Sequence, residues 1–327
     1  MSCPPALPVL EVDRLSVSYH TERGELKALR NVSLQVPRRE IVGIVGESGC
    51  GKSTLISAMI RLLAPNAQLV SGEIRFQGED LLSLDPEGMR ALRGDELAMV
   101  FQDPMTSLNP VLSIGRQMRD VQYRLRESKA DKNARSMRML EKVGIPDPQA
   151  RLRDFPHQLS GGMRQRVAIA MALMMKPSLL IADEPTTALD ATLEVQNIHQ
   201  LKALQAEIGC SILFISHHLG VIAELCDHVV VMYAGEVVET GSVREIFHSP
   251  SHPYTRMLLA CDPGGITERT KVLPIIRGFL PDLVDLPAGC VYRDRCDMAT
   301  DGCAEQKPEL KDLDGRKVAC LLTADSS

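Results

Sequence analysis

The chain has 327 residues, 44% of them hydrophobic, which is enough for a substantial core and two or three domains. Its net charge of -5 and pI of about 5.9 give no overall electrostatic case for nucleic-acid binding. The sequence contains no apolar run long enough to span a bilayer and no basic-then-apolar leader at its start, so we expect a cytoplasmic chain.

The first hundred residues alternate strands with turns. Apolar and polar residues alternate over 9–19, which predicts a strand, and 26–36 predicts two further short strands. Together they predict a small antiparallel sheet. Residues 71–81 predict another strand and turn, and 98–101 predict a short apolar strand.

A glycine-rich loop lies between the apolar run 40–45, predicted as a buried parallel strand, and a predicted helix over 55–63. The loop fits G-x-x-x-x-G-K-[ST] and consists of Gly46, Glu47, Ser48, Gly49, Cys50, Gly51, Lys52, Ser53 and Thr54. Glycines let backbone N–H groups close around phosphate oxygens, and the helix N-terminus favours the anion. Lys52 is expected to reach the β- and γ-phosphates, and the Ser53 hydroxyl to bind Mg²⁺.

Residues 108–163 are predicted to form an inserted helical subdomain, because helical and basic sequence dominates there. It ends in Ser160-Gly161-Gly162 before a helix, which predicts a second anion cradle. A head-to-tail dimer would use both cradles, each loop closing over the nucleotide of the other subunit. The simpler alternative is a helix N-cap with Ser160 as the cap.

An α/β pattern returns from residue 164 onward. A buried strand over 179–182 ends in Asp183 and Glu184. The first carboxylate can hold Mg²⁺ through water, and the second can polarise a water that attacks the γ-phosphate. Residues 193–207 and 219–225 predict helices, 211–215 a strand, and 229–239 a hairpin.

Past residue 250 the chain is proline-rich, and four cysteines stand at positions 290, 296, 303 and 320. No Cys-x2-Cys pair occurs among them, so the spacing is not that of a standard zinc ribbon. Three interpretations stay open on spacing alone: unligated thiols, a zinc site, or an iron–sulfur cluster held by four thiolates.

The loop, the Ser-Gly-Gly segment and the acidic pair, in this order, resemble the ATP-binding subunit of an ABC transporter over residues 9–245. The segments 101–110, 155–159 and 252–255 are similar to the dipeptide/oligopeptide/nickel importer group, which extends the resemblance nearly to the C-terminus.

The resemblance implies roles for individual residues. Tyr19 would stack on adenine, and Gln102 would sense Mg²⁺ and the γ-phosphate and link hydrolysis to the helical subdomain. Ser160, Gly161 and Gly162 would bind the partner's γ-phosphate, while the loop 188–190 would cross the dimer interface. Asp183 would be the Mg²⁺ aspartate and Glu184 the catalytic base.

His217 would be the switch histidine on the γ-phosphate, although this sequence has His218 where the family usually has Asp. In the tail, the resemblance favours a [4Fe–4S] cluster over zinc on Cys290, Cys296, Cys303 and Cys320. A redox role does not follow, because such a cluster could simply staple an irregular segment.

The fold implied is an α/β P-loop NTPase core with a mostly parallel sheet, an antiparallel β subdomain, an inserted helical subdomain and an irregular cysteine-containing extension. We expect domain boundaries of 1–107 (the β subdomain and the first part of the core), 108–163 (helical), 164–248 (second part of the core) and 249–327 (extension).

The function implied is ATP hydrolysis, with ATP and Mg²⁺, to energise import of short peptides at the cytoplasmic face of the membrane. The expected partners are a paralogous ATPase, two transmembrane permeases and an extracytoplasmic solute-binding protein. Alternatives are the same role in a nickel or other small-solute importer, or a soluble ABC ATPase acting on nucleic acid or ribosomes. The latter class usually has two cassettes or a coiled coil, and neither is present here.

Cys50 lies inside the glycine-rich loop, near Lys52 and a helix N-terminus. This position predicts a lowered thiol pKa, so that alkylation would inactivate the protein and ATP would protect it.

Overall fold

The computed structural model describes residues 7–102, 107–185, 191–262, 264, 274–313 and 315–323. The chain divides into two compact units. The first is formed mainly by residues 37–41 and 84–215, and the second by residues 10–36, 42–83 and 216–327.

The strands, in chain order, are β1 (Leu10–Thr21), β2 (Gly24–Val36), β3 (Ile41–Val45), β4 (Ala67–Phe76), β5 (Glu79–Asp80), β6 (Leu97–Val100), β7 (Leu179–Asp183), β8 (Ser211–Ile215), β9 (His228–Tyr233), β10 (Glu236–Ser242), β11 (Lys311–Leu313) and β12 (Arg316–Val318).

The α-helices, in chain order, are α1 (Lys52–Met59), α2 (Pro86–Leu92), α3 (Ile114–Val121), α4 (Lys129–Lys142), α5 (Pro148–Arg151), α6 (Gly161–Leu173), α7 (Ala191–Ile208), α8 (Leu219–Leu225), α9 (Val243–His248), α10 (Pro253–Ala260) and α11 (Gly302–Glu305). Single 3₁₀ turns occupy Pro156–Gln158, Arg293–Arg295 and Leu321–Thr323.

The first unit contains a parallel ladder in which β7 pairs with β6 on one side and with β8 on the other. The five residues of β8 are all buried, as expected for a parallel strand covered on both faces. Helices α3, α4, α5 and α6 belong to the same unit. Gln122 is fully buried where α3 meets α4, and its amide donates to backbone oxygens of both segments and to Ser136 Oγ.

The second unit contains an antiparallel sheet in the order β2-β1-β4-β5. A second ladder joins β3 in parallel to β9, and β9 continues antiparallel through β10 and β12 to β11. β2 is one long strand rather than the two short ones predicted. A bulge at Arg30–Asn31 interrupts the alternation without ending the pairing, because Asn31 adopts a left-handed φ of 55° and its N–H donates to Ser16 Oγ.

The described part of the C-terminal extension, predicted as irregular, contains helices α10 and α11 and strands β11 and β12. α10 begins at Pro253, which the first turn of a helix tolerates, and His252 caps it. β12 adds to the edge of β10. Among the described residues, no helix is both long and apolar enough to cross a membrane.

Candidate functional site

The glycine-rich loop runs from the buried strand β3 into helix α1, as the sequence predicted. A Cβ atom at Gly46 would lie 2.2 Å from the Met232 carbonyl oxygen, and one at Gly51 would lie 2.8 Å from that of Ala28. Gly51 also has a left-handed φ of 105°. Close backbone approach therefore requires glycine at both positions.

Lys52 is the first residue of α1, and its side chain lies over the loop that precedes it. Its Nζ atom donates to the carbonyl oxygens of Gly46 (2.6 Å) and Glu47 (3.1 Å) and to the sulfur of Cys50 (3.6 Å). The ammonium therefore lies against the backbone of the glycine-rich loop. Phosphate oxygens bound there would be close to this charge.

Tyr19 lies in β1 and is half-buried. Its hydroxyl is within hydrogen-bond distance of Thr54 Oγ1 (3.2 Å), which follows Ser53 in α1. The structure thus brings Tyr19 to the helix that closes the loop, with the ring partly accessible. Its proposed stacking on adenine stays a prediction.

In the first unit, Asp183 and Glu184 stand at the carboxyl end of β7. The Gln102 amide nitrogen, just past the end of β6, donates to Glu184 Oε2 at 2.9 Å. Glu184 adopts a left-handed φ of 45°. This backbone conformation is uncommon for a residue with a side chain, and residues that adopt it cluster at functional sites. Its backbone N–H donates to Ile215 O, which fixes the turn.

The Ser160-Gly161-Gly162 segment opens α6. Ser160 Oγ accepts from the Met163 N–H at 3.3 Å, so the simpler alternative, a helix cap, is realised. Ser160 and Gly161 are nevertheless exposed, and a Cβ at Gly161 would meet nothing within 4 Å. The segment is therefore open on its outer side, and the anion-binding role stays a prediction.

His217 and His218 follow β8 on the exposed surface of the second unit, with their rings edge to face at 4.3 Å between centroids. The His218 N–H donates to Ser216 Oγ, and His218 precedes α8. The loop 188–190 and residues 103–106 of the segment 101–110 lie outside the described residues.

The expectation of a lowered pKa for Cys50 is wrong. The thiol is fully buried, and this burial raises its pKa, although the Lys52 ammonium acts in the opposite direction. Desolvation of the thiolate outweighs the attraction of the neighbouring charge. The sulfur is also shielded from solvent in this structure.

The four tail cysteines lie near one another in the second unit. Burial raises the pKa of Cys290 to about 11, and the neighbouring thiols act in the same direction. The pKa values of Cys296 and Cys320 are raised likewise, by burial first. Within the described part of the chain, however, no three cysteine, histidine or acidic side chains are arranged to hold a metal ion.

Comparison with known families agrees with this geometry. Residues 29–187 match the family model described as ABC transporter, and residues 238–303 match that of the oligopeptide/dipeptide transporter C-terminal region. This chain belongs to the ABC transporter ATP-binding family. It is an ABC-type ATPase, and its C-terminal segment assigns it to the oligopeptide/dipeptide group within that family.

Relatives match it over nearly their full length. The probable peptide ABC transporter ATP-binding protein y4tR of Sinorhizobium fredii is 45% identical over 98% of this chain and 96% of its own. The dipeptide transport ATP-binding protein DppD of Escherichia coli is 43% identical over 98% of both chains. The oligopeptide transport ATP-binding protein OppD of Bacillus subtilis is 47% identical over 92% of this chain and 85% of its own.

Solved structures of ABC cassettes share the fold. A dimeric ATP-binding cassette in a post-hydrolysis state with ADP and phosphate matches with a TM-score of 0.65 at 28% identity, covering 72% of this chain and 99% of that one. The cassette cbiO1 of Clostridium perfringens, part of the ABC transporter complex cbiONQ, matches with a TM-score of 0.64 at 30% identity, covering 74% of this chain and 91% of that one. The predicted fold class is confirmed.

The sequence did not predict two residues of the extension that contact the glycine-rich loop. Arg295 forms an ion pair with Glu47, and the Tyr254 hydroxyl accepts from the Glu47 N–H. No local signal could have found these contacts, because more than 200 residues separate the partners in sequence.

Proposed function

We propose that this chain is the ATP-hydrolysing subunit that energises import of short peptides at the cytoplasmic face of a membrane. The observation that carries the proposal is similarity over nearly the whole chain to peptide-transport ATP-binding proteins, including the C-terminal region typical of that group. We propose that its partners are two permeases, a solute-binding protein and a paralogous ATPase.

We propose the following roles for individual residues of each unit. In the second unit, Lys52 would bind the β- and γ-phosphates, Ser53 would ligate Mg²⁺, and Tyr19 would stack on the base. In the first unit, Asp183 would bind Mg²⁺ through water and Glu184 would act as the base toward the attacking water. The remaining assignments are His217 on the γ-phosphate and Ser160, Gly161 and Gly162 on the nucleotide of the partner subunit.

The hydrogen bond from Gln102 to Glu184 supports coupling between hydrolysis and the membrane subunits. Gln102 follows Phe101, whose side chain is 49% exposed and lines an apolar groove with Leu108, Val121 and Met171. We propose that a permease segment docks in this groove. A shift of that segment would then move the residue that contacts the proposed base.

We further propose four structural regions. The β subdomain and the first part of the core occupy residues 1–107, and the helical subdomain occupies 108–163. The second part of the core occupies 164–248, and the extension occupies 249–327. The antiparallel sheet within the first range and helices α3, α4 and α5 within the second support this division.

The test is transport by native cells that lack this chain. Uptake of a labelled tripeptide should fall to background and return with the wild-type gene but not with Glu184→Gln, while uptake of Ni²⁺ should stay unchanged. Loss of Ni²⁺ uptake alone would favour the nickel alternative. A mild-detergent pull-down that recovers ribosomes and no permease would favour the soluble class.

We propose separately that Cys290, Cys296, Cys303 and Cys320 hold a [4Fe–4S] cluster. The donor set fits in its chemistry, because burial and then the neighbouring thiols raise the pKa values of Cys290, Cys296 and Cys320, and a bound cation would relieve that repulsion. Tyr292 lies between Cys290 and Cys296 in sequence, and its buried Oη has no hydrogen-bond partner among the described residues. The cluster would act as a covalent staple for a segment with little apolar surface.

Protein prepared without oxygen should contain about four iron atoms per chain and absorb visible light. Cys303→Ser should lower the iron content, and Cys210→Ser, a buried thiol elsewhere in the chain, should not. Colourless, iron-free wild-type protein would contradict the cluster without affecting the ATPase assignment.

A further inference from the structure

Residues 274–284 of the extension, here called the strap, lie beside the glycine-rich loop within the second unit. A Cβ at Gly49 would lie 3.7 Å from Leu280 Cδ1, so this leucine is next to the loop backbone. Two contacts anchor the end of the strap. The Leu283 carbonyl accepts from the Lys27 N–H at 3.0 Å, and Asp282 forms an ion pair with Arg23. The extension therefore borders the loop that is expected to bind phosphate.

Arg295 connects the strap to the loop. Its two terminal nitrogens donate to the two carboxylate oxygens of Glu47 at 2.7 and 3.0 Å. The other donors reach the carbonyls of Arg277 (2.8 Å) and Ile276 (3.3 Å) and the hydroxyl of Tyr233 (3.3 Å). All five N–H groups of the guanidinium therefore have an acceptor, and the side chain is only 5% exposed.

Glu47, in turn, is fixed at three points. Its carboxylate is held by Arg295, its N–H donates to Tyr254 Oη at 3.0 Å, and its carbonyl accepts from Lys52 Nζ at 3.1 Å. The third contact matters for function, because Lys52 is the residue expected to bind the nucleotide phosphates. The orientation of the Glu47 peptide thus helps to set where the ammonium lies.

We propose that Arg295 is a positioning residue for nucleotide binding. Acting through Glu47, it holds the glycine-rich loop in the form that receives phosphate, so that nucleotide affinity depends on the C-terminal extension. The role is preorganisation of binding, which should appear in the dissociation constant and KM rather than in kcat.

The arrangement of five acceptors around position 295 also requires arginine rather than lysine. A planar fork can bind both carboxylate oxygens and still donate to three other acceptors, whereas a lysine ammonium has three donors on a single nitrogen. A lysine would keep the charge but leave two acceptors unsatisfied. Gly278 contributes space: a Cβ there would lie 3.3 Å from Arg295 Cγ.

The experiment is calorimetric titration of the full chain with MgADP, which fills the phosphate loop without hydrolysis. Arg295→Met should bind about tenfold more weakly than wild type, and Arg295→Lys should recover only part of that loss. Arg293→Ala, two residues away and paired with exposed Asp294, is the matched control and should bind like wild type. In steady-state hydrolysis, Arg295→Met should raise KM for ATP with little change in kcat.

Glu47→Gln tests the contact from the loop side in case Arg295→Met lowers the melting temperature. The double variant, Arg295→Met with Glu47→Gln, should bind MgADP about as weakly as either single variant, because each substitution removes the same ion pair. Affinity equal to wild type in both single variants would overturn the proposal, as would tighter binding. Wild-type affinity in Arg295→Lys would contradict the claim that the planar fork of arginine is needed. If Arg293→Ala weakened MgADP binding as much as Arg295→Met, the cause would be general damage to the extension.

Discussion

The carboxylate of Glu184 stands at the end of β7, where it accepts a hydrogen bond from Gln102 and the backbone adopts a left-handed conformation. If this residue is the base, Glu184→Gln should lower the rate of ATP hydrolysis at least about 100-fold and leave ATP binding intact. Phosphate release and nucleotide titration measure the two properties. Glu207→Gln, on the surface beside Lys142, is the control. Hydrolysis within about tenfold of wild type would remove Glu184 from this role.

Cys50 should react slowly, because burial raises the pKa of its thiol. At pH 7 to 8 the fraction of thiolate is then lower than in a free thiol, and the rate of alkylation should still rise with pH where that of an ordinary thiol has levelled off. Mass spectrometry of protein treated with iodoacetamide at several pH values, with glutathione as the reference thiol, measures the rate. Reaction of Cys50 faster than glutathione at pH 7 would contradict the raised pKa.

At the scale of elements, α10 depends on a buried histidine. His252 Nδ1 accepts from the Tyr254 N–H, and burial lowers the pKa of His252 from 6.5 to about 4. The unfolded chain therefore binds a proton below pH 6.5 that the folded chain does not, and stability falls as the pH drops from 6.5 toward 4. The contribution reaches about 1.4 kcal/mol per pH unit.

His252→Asn should flatten this pH dependence, because asparagine is a good helix cap but does not titrate. Urea unfolding between pH 4.5 and 7 measures the slope of the unfolding free energy. His248→Asn, at an exposed position on the preceding helix, should keep the wild-type slope. Equal slopes for wild type and His252→Asn would show that another group dominates the acid response.

Elements set by local chemistry were predictable, and those set by distant partners were not. The strand–loop–helix around Gly51 and Lys52 follows from glycine and from apolar periodicity within about twenty residues. The bulge at Asn31 looked like a break between strands because periodicity cannot show what pairs across it. In the candidate site, Lys52 and Glu184 carried recognisable local patterns, whereas Arg295 is defined only by acceptors that other parts of the second unit supply.

At the scale of the molecule, the last strands protect a sheet edge. β12 pairs with β10 at Glu239 and Thr240, and the Ala319 N–H donates to the Val238 carbonyl. Deleting residues 311–327 should leave β10 with unpaired backbone groups beside buried Val237 and Val238, and so promote aggregation. Light scattering at increasing concentration measures this effect.

Two controls separate the edge from other effects of that deletion. Removing only residues 324–327 keeps β12, and Cys320→Ser removes the thiol from the full-length chain. Both should remain dispersed. Aggregation of Cys320→Ser to the same extent would assign the effect to the thiol rather than to the strand edge.

The contact between Glu47 and Arg295 also sets an order of events during synthesis. The two residues are 248 positions apart. At about 5 to 20 residues per second, a ribosome needs roughly 10 to 50 s to translate the interval between them. Throughout that time the newly made glycine-rich loop lacks its arginine, so a nascent chain should acquire full nucleotide affinity only after Arg295 has been translated.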